Sequence, residues 1–106
     1  MKFAHVFALA ALGAAFPALA ADLSVGQQNQ TFSMPSMNVH VGDKVTFNNQ
    51  DDVTHDITIK GGADGDAEDL GLEKPGKSVN YTFDAKGAYR VICSIHPKMK
   101  MTINVQ

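Results

Sequence analysis

A second cysteine is missing from this chain of 106 residues, so Cys93 has no partner and no internal disulfide can form. A small disulfide-stapled scaffold is thereby excluded. Basic residues are also sparse: nine Lys and Arg stand against eleven Asp and Glu, for a net charge of −2. No Lys/Arg stripe appears, which argues against nucleic-acid binding. Beyond the first twenty residues no segment has a helical period, and none is long and apolar enough to cross a membrane. There is no internal repeat and no linker. Nor is there a Ser/His/Asp arrangement, an apolar pair of carboxylates or a phosphate-binding loop, so nothing points to an enzyme.

The beginning of the chain has its own logic. Lys2 supplies a short positive region, Phe3 to Phe16 is almost wholly apolar, and Ala18-Leu19-Ala20 forms an A-x-A cleavage pattern behind Pro17. Residues 1–20 are therefore expected to be a signal peptide, with the mature chain starting at Ala21 and exported to the periplasm. An uncleaved anchor is the alternative. Residues 21–106 are expected to form one domain. A domain this small is marginal on its own and often relies on a metal. An exported protein with one unpaired cysteine also needs an explanation for the thiol. Cys93 is either a buried apolar filler or a metal ligand.

Strand signals fill the mature chain. Asp22 to Gln28 reads as a first strand, with Phe32 packing beyond it. Val39-His40-Val41, Gly42-Asp43 and Lys44 to Asn48 read as strand, tight turn and strand. From His55 to Lys60 the alternation puts His55, Ile57 and Ile59 on one face. Val79, Tyr81 and Phe83 share a face, as do Tyr89, Val91 and Cys93, and then Met101, Ile103 and Val105. The expected fold is all-β, a small antiparallel Greek-key sandwich. The stretch 61–76 reads as irregular and carries Asp64, Asp66, Glu68 and Asp69. It is either a solvated loop or an acidic patch that steers a basic partner. Calcium-loop ligand spacing is absent.

The last fourteen residues concentrate the chemistry. Cys93-Ser94-Ile95-His96-Pro97-Lys98-Met99-Lys100-Met101 places a thiol, an imidazole and two thioethers within one short segment. Cys93-x-x-His96 alone also suits zinc. His55, at the start of a core-facing strand, adds a second imidazole. One Cys, two His and a weak axial Met make a blue-copper electron-transfer site.

The same residues carry a family resemblance. Gly87-Ala88-Tyr89-Arg90-Val91-Ile92-Cys93-Ser94-Ile95-His96-Pro97-Lys98-Met99 resembles the G-x-Y-x-x-x-C-x-x-H-P-x-M end of amicyanins. Val39-His40-Val41-Gly42-Asp43-Lys44-Val45-Thr46-Phe47-Asn48-Asn49 resembles the V-x-V-G-D-x-V-T-x-x-N segment of amicyanins and plastocyanins. The chain is thus similar to the cupredoxins, from about Phe32 to Gln106. The resemblance implies a type 1 copper ion held by His55, Cys93 and His96. The amicyanin spacing selects Met99 as axial ligand, whereas the plastocyanin spacing would select Met101. Thr54 and Asp56 depart from the Pro and Asn that flank the first histidine in the family. That Asn ties the His strand to the Cys loop, and Asp56 could instead accept from the Ser94 amide.

The function this implies is one-electron transfer by a monomer between redox proteins. The expected partner is a c-type cytochrome or a periplasmic dehydrogenase or reductase, docking at the apolar rim of Ile95 and Pro97. A copper carrier is the alternative, with Met34, Met37, Met99, Met101, His40 and His96 forming an exposed Cu(I) site. A small copper oxidase ranks lower, since no second metal site is visible.

Overall fold

The computed structural model describes residues 19–62 and 65–106. Most of the expected signal peptide therefore lies outside the described residues, as does Asp64. The described residues contain nine strands and no helix. Two sheets face each other. One has the order β2-β1-β4-β7, built from Thr31–Phe32, Asp22–Gln28, Lys44–Asn49 and Ser78–Thr82. The other has the order β3-β9-β8-β5-β6, built from Ser36–Val39, His96–Val105, Gly87–Cys93, His55–Gly61 and Ala67–Glu73.

Period-two patterning explains the faces. Val45 and Phe47 on β4, Ile57 and Ile59 on β5, Val91 and Cys93 on β8, and Met101, Ile103 and Val105 on β9 all point into one buried core. Phe83 closes it between Tyr81 and Tyr89, with edge-to-face ring centroids at 4.8 and 5.1 Å.

Three features differ from the sequence reading. The segments around Val39 and Lys44 do not pair with each other: β3 joins β9 and β4 joins β1. At Gly42, φ is +94°, and the chain there crosses between the sheets. Both pairings just named, β1–β4 and β3–β9, run parallel within otherwise antiparallel sheets. Finally, the acidic stretch read as irregular contains β6, an edge strand that pairs with β5. Its Glu68 and Asp69 are exposed on a free edge, where charge discourages another strand from adding on. Alternation fails to reveal β6 because only Glu73 along it is buried.

Candidate metal centre

Two strand ends and one two-residue turn bring the site together. β8 delivers Cys93 and β9 begins at His96, so Ser94-Ile95 is the tip of a hairpin in which Cys93 and His96 are partners. His55 opens β5, and Ile57 pairs with Cys93 across the sheet. The backbone of Asp56 ties the two ligand strands. Its amide donates to Cys93 Sγ at 3.4 Å, and its carbonyl accepts from the Ser94 amide at 3.0 Å. The tie foreseen for the Asp56 side chain is thus made by its main chain. The carboxyl meets Asp69 and the Ser94 side chain; Asp69 raises the pKa of Asp56 above the usual carboxylate range, with burial adding to the rise and Ser94 opposing it.

The three donor atoms converge. His55 Nδ1 lies 3.1 Å from His96 Nδ1 and 3.6 Å from Cys93 Sγ, and Cys93 Sγ lies 3.4 Å from His96 Nδ1. Donors bound trigonally to one ion at about 2.0–2.3 Å would stand about 3.4–4.0 Å apart. The observed triangle fits that geometry, slightly contracted. Protonation points the same way. His55 Nε2 lies 2.9 Å from Asp51 Oδ2 and donates to it, which leaves the Nδ1 lone pair facing the other two donors. A buried, fully enclosed imidazole nitrogen, a second imidazole nitrogen and a sulfur at contact distance call for a shared cation. A soft sulfur beside two imidazoles suits copper.

Asp51 is a site residue that the strand pattern did not reveal, because it lies in the loop before β5. The two-residue turn joining β1 and β2 puts Asn29 and Gln30 both at φ 55°, and their amides donate to Asp51 at 3.0 and 2.7 Å. The Gln30 amide is the largest cause holding the Asp51 carboxyl below its ordinary range. The loop is fixed from beneath by Asn49. Its Nδ2 donates to the carbonyls of Val53 and Glu73 at 2.9 and 2.8 Å, and its Oδ1 accepts from the Asp51 amide at 2.9 Å.

Met99 and Met101 are both buried in β9, but their registers differ. Met101 is the partner of Val91, two residues from Cys93. Met99 falls in the irregular stretch between the Ile92–Lys100 and Cys93–His96 pairs. His40 is not brought to this end. It is exposed beside Val41, whose amide bonds to Gln106 beyond the far end of β9. Met37 pairs with Ile103 in the body of the sheet, so the Met/His cluster of a carrier site is not assembled. On the surface around half-buried His96, Ile95 is 49% exposed, and Gln30, Ile95, Pro97, Lys98 and Met99 line a hollow with it.

Residues 19–106 match the family model of copper binding proteins, plastocyanin/azurin family, and the chain belongs to that family. It is a cupredoxin, an electron carrier and not an enzyme, with copper as its cofactor. Among solved structures it is similar to a reduced proline-to-phenylalanine variant of amicyanin, with 26% identity, 88% of each chain covered and a TM-score of 0.72. A purple cupredoxin from Nitrosopumilus maritimus shares the fold at 22% identity and a TM-score of 0.70, over 80% of this chain and 100% of that one. The methylamine utilization protein MauL of Methylorubrum extorquens is 29% identical over 91 residues, covering 86% of this chain and 79% of that protein. The MauL of Methylophilus methylotrophus is 35% identical over 66 residues, 60% of this chain, but the match spans only 37% of that longer protein.

Proposed function

We propose that this protein is exported to the periplasm and shuttles single electrons between redox proteins, with His55 Nδ1, Cys93 Sγ and His96 Nδ1 as copper ligands and Met99 as the axial one. The observation that carries the reading is the convergence of those three donors around a His55 whose tautomer Asp51 fixes. Bound copper supplies a centre that can gain and lose one electron. The protein's part is to hold the donors in one arrangement through both states. Asp51 orients His55, the Asp56 amide steadies the sulfur, and the core strands keep water from all but the His96 edge. The register of β9 favours Met99 over Met101, because Met101 sits two residues down the neighbouring strand from Cys93. The leader pattern at residues 1–20 supports export, and no helix among the described residues is long and apolar enough to span a membrane.

Partners would dock on the rim of Ile95 and Pro97 around His96, in a small and short-lived contact. A c-type cytochrome or a dehydrogenase of the kind served by amicyanin-like carriers fits such a rim. The MauL relatives are named for methylamine utilization, which supports testing a dehydrogenase early.

The deciding experiment is the visible spectrum of the purified protein after adding Cu(II). An intense thiolate-to-copper band is expected, and Cys93→Ala should abolish it. Tight Cu(II) binding by the wild type without colour would refute the blue-copper site and leave the carrier reading.

A further inference from the structure

Asp43 lies at the end of the sandwich opposite the ligands, and it is buried. Its Oδ1 accepts from the Ala21 nitrogen at 2.8 Å, and its Oδ2 accepts from the His40 amide at 2.8 Å. These bonds, the Ala21 one foremost, keep its carboxyl below the ordinary range, so it is a carboxylate. The positive charge near it is scant. The His40 ring nitrogen is 3.9 Å away on a side chain that is 81% exposed. Lys44 is engaged with Asp22 at 3.7 Å, and Asp84, one residue beyond Phe83 on the facing loop, adds only negative charge. A buried carboxylate served by backbone amides, with only an exposed imidazole nearby, lacks a buried countercharge.

We propose that cleavage of the leader after Ala20 supplies that countercharge, turning the Ala21–Asp43 hydrogen bond into an ion pair that tightens the mature domain. The inference rests on the leader reading given above. In the cleavage a leader peptidase adds water across the Ala20–Ala21 peptide. The hydroxyl leaves with Ala20 as its carboxylate. The Ala21 nitrogen takes the remaining hydrogen and, near neutral pH, a further proton. The nitrogen that donates to Asp43 thereby becomes an ammonium without having to move. Its position is fixed on the other side, where the Ala21 carbonyl accepts from the Lys44 amide at 2.9 Å and β1 begins pairing at once with Asp22 opposite Lys44. Residues ahead of it are not needed for this anchoring: Ala20 is exposed, and Leu19 is 95% exposed. The leader junction thus coincides with the first residue the fold holds, and processing completes the electrostatics of the far end.

The test uses the full chain, expressed with its leader and recovered after export. Intact mass and N-terminal sequencing should show a chain starting at Ala21. The α-amine, tagged by isotopic reductive methylation, should titrate above an ordinary chain terminus in the wild type and return to the ordinary value in Asp43→Asn. A second form retaining Leu19 and Ala20 replaces the ammonium with an amide. It should melt about 4–8 °C lower, as expected for a domain of this size that loses one charge-assisted contact. Asp43→Asn should cost less in that form than in the exported protein. A different starting residue would overturn both the cleavage point and the ion pair. A start at Ala21 with an ordinary amine in both proteins and equal melting points would overturn the ion pair alone and leave export standing. The copper colour of the same samples reports on the metal centre separately, because β4 and β9 run the length of the sandwich between the two ends.

Discussion

Replacing Asp51 with Asn isolates the influence of one buried charge on the metal centre. The carboxylate accepts from His55 Nε2 at 2.9 Å and from two backbone amides, and it is held ionised by them. Oxidation of the copper adds positive charge, which the imidazole shares. The His55–Asp51 bond is therefore stronger in the oxidised protein than in the reduced one. A hydrogen bond to a charged group is worth about 1.5–3 kcal/mol, against about 0.5–1.5 kcal/mol for a neutral one. Exchanging the carboxylate for a neutral amide therefore weakens this bond by about 1–1.5 kcal/mol, which bounds what the oxidised state loses relative to the reduced one. For a one-electron couple that corresponds to about 40–65 mV. Asp51→Asn should raise the reduction potential by up to this amount, measured by voltammetry. Stability should fall as well, because the Asn amide group now faces the Asn29 or Gln30 amide as donor against donor, at about 1–3 kcal/mol. The two effects are separable: the potential reports on charge, the melting point on the turn. An unchanged or lowered potential in a folded, blue Asp51→Asn protein would refute the argument that this carboxylate supports the oxidised site.

Met99→Leu should keep copper bound but raise the potential, since a thioether that supports Cu(II) is lost. Met101→Leu should act as a near volume-conserving core swap costing under about 1.5 kcal/mol by urea denaturation, and finding the potential shift there instead would reassign the axial ligand. Electron transfer to a basic partner should slow as salt rises, because steering is screened over about 8 Å at physiological ionic strength. Changing Asp64, Asp66, Glu68 and Asp69 to Asn or Gln should flatten that dependence in stopped-flow rates, whereas equal slopes would leave β6 charges as edge protection alone. Glu73 is buried beside Gln27, whose Nε2 lies 2.5 Å from its Oε1, and burial raises its pKa. A carboxyl raised on folding favours the folded state while neutral and loses that contribution as pH rises from the ordinary value through the folded one. Glu73→Gln should therefore leave acid-side stability nearly unchanged, gain stability near neutral pH, and flatten the profile between. A Glu73→Gln protein less stable than wild type at neutral pH would show that the charged form is the one the fold wants.

The sequence by itself determined the class of fold and put forward His55, Cys93, His96 and Met99 as candidate ligands. Period-two alternation is a local property, and it marked the inward faces of β4, β5, β8 and β9 because each buries every second side chain in one core. Cys93 and His96 flank one hairpin turn, so their meeting needs only that turn. His55 was legible through its place at the start of a core-facing strand and through its spacing from Asn49. Tertiary structure alone decided the rest. Strand partnership is non-local, so the parallel joining of β1 to β4 and β3 to β9 left no mark in either segment. β6 hid because an edge strand with exposed charges on both faces has no buried period. Asp51 carries no pattern of its own. Asp51 matters because a left-handed turn from residues 29–30 folds its amides onto a loop more than twenty residues away. Alternation specifies which way a side chain faces; only the closed sandwich specifies what it faces.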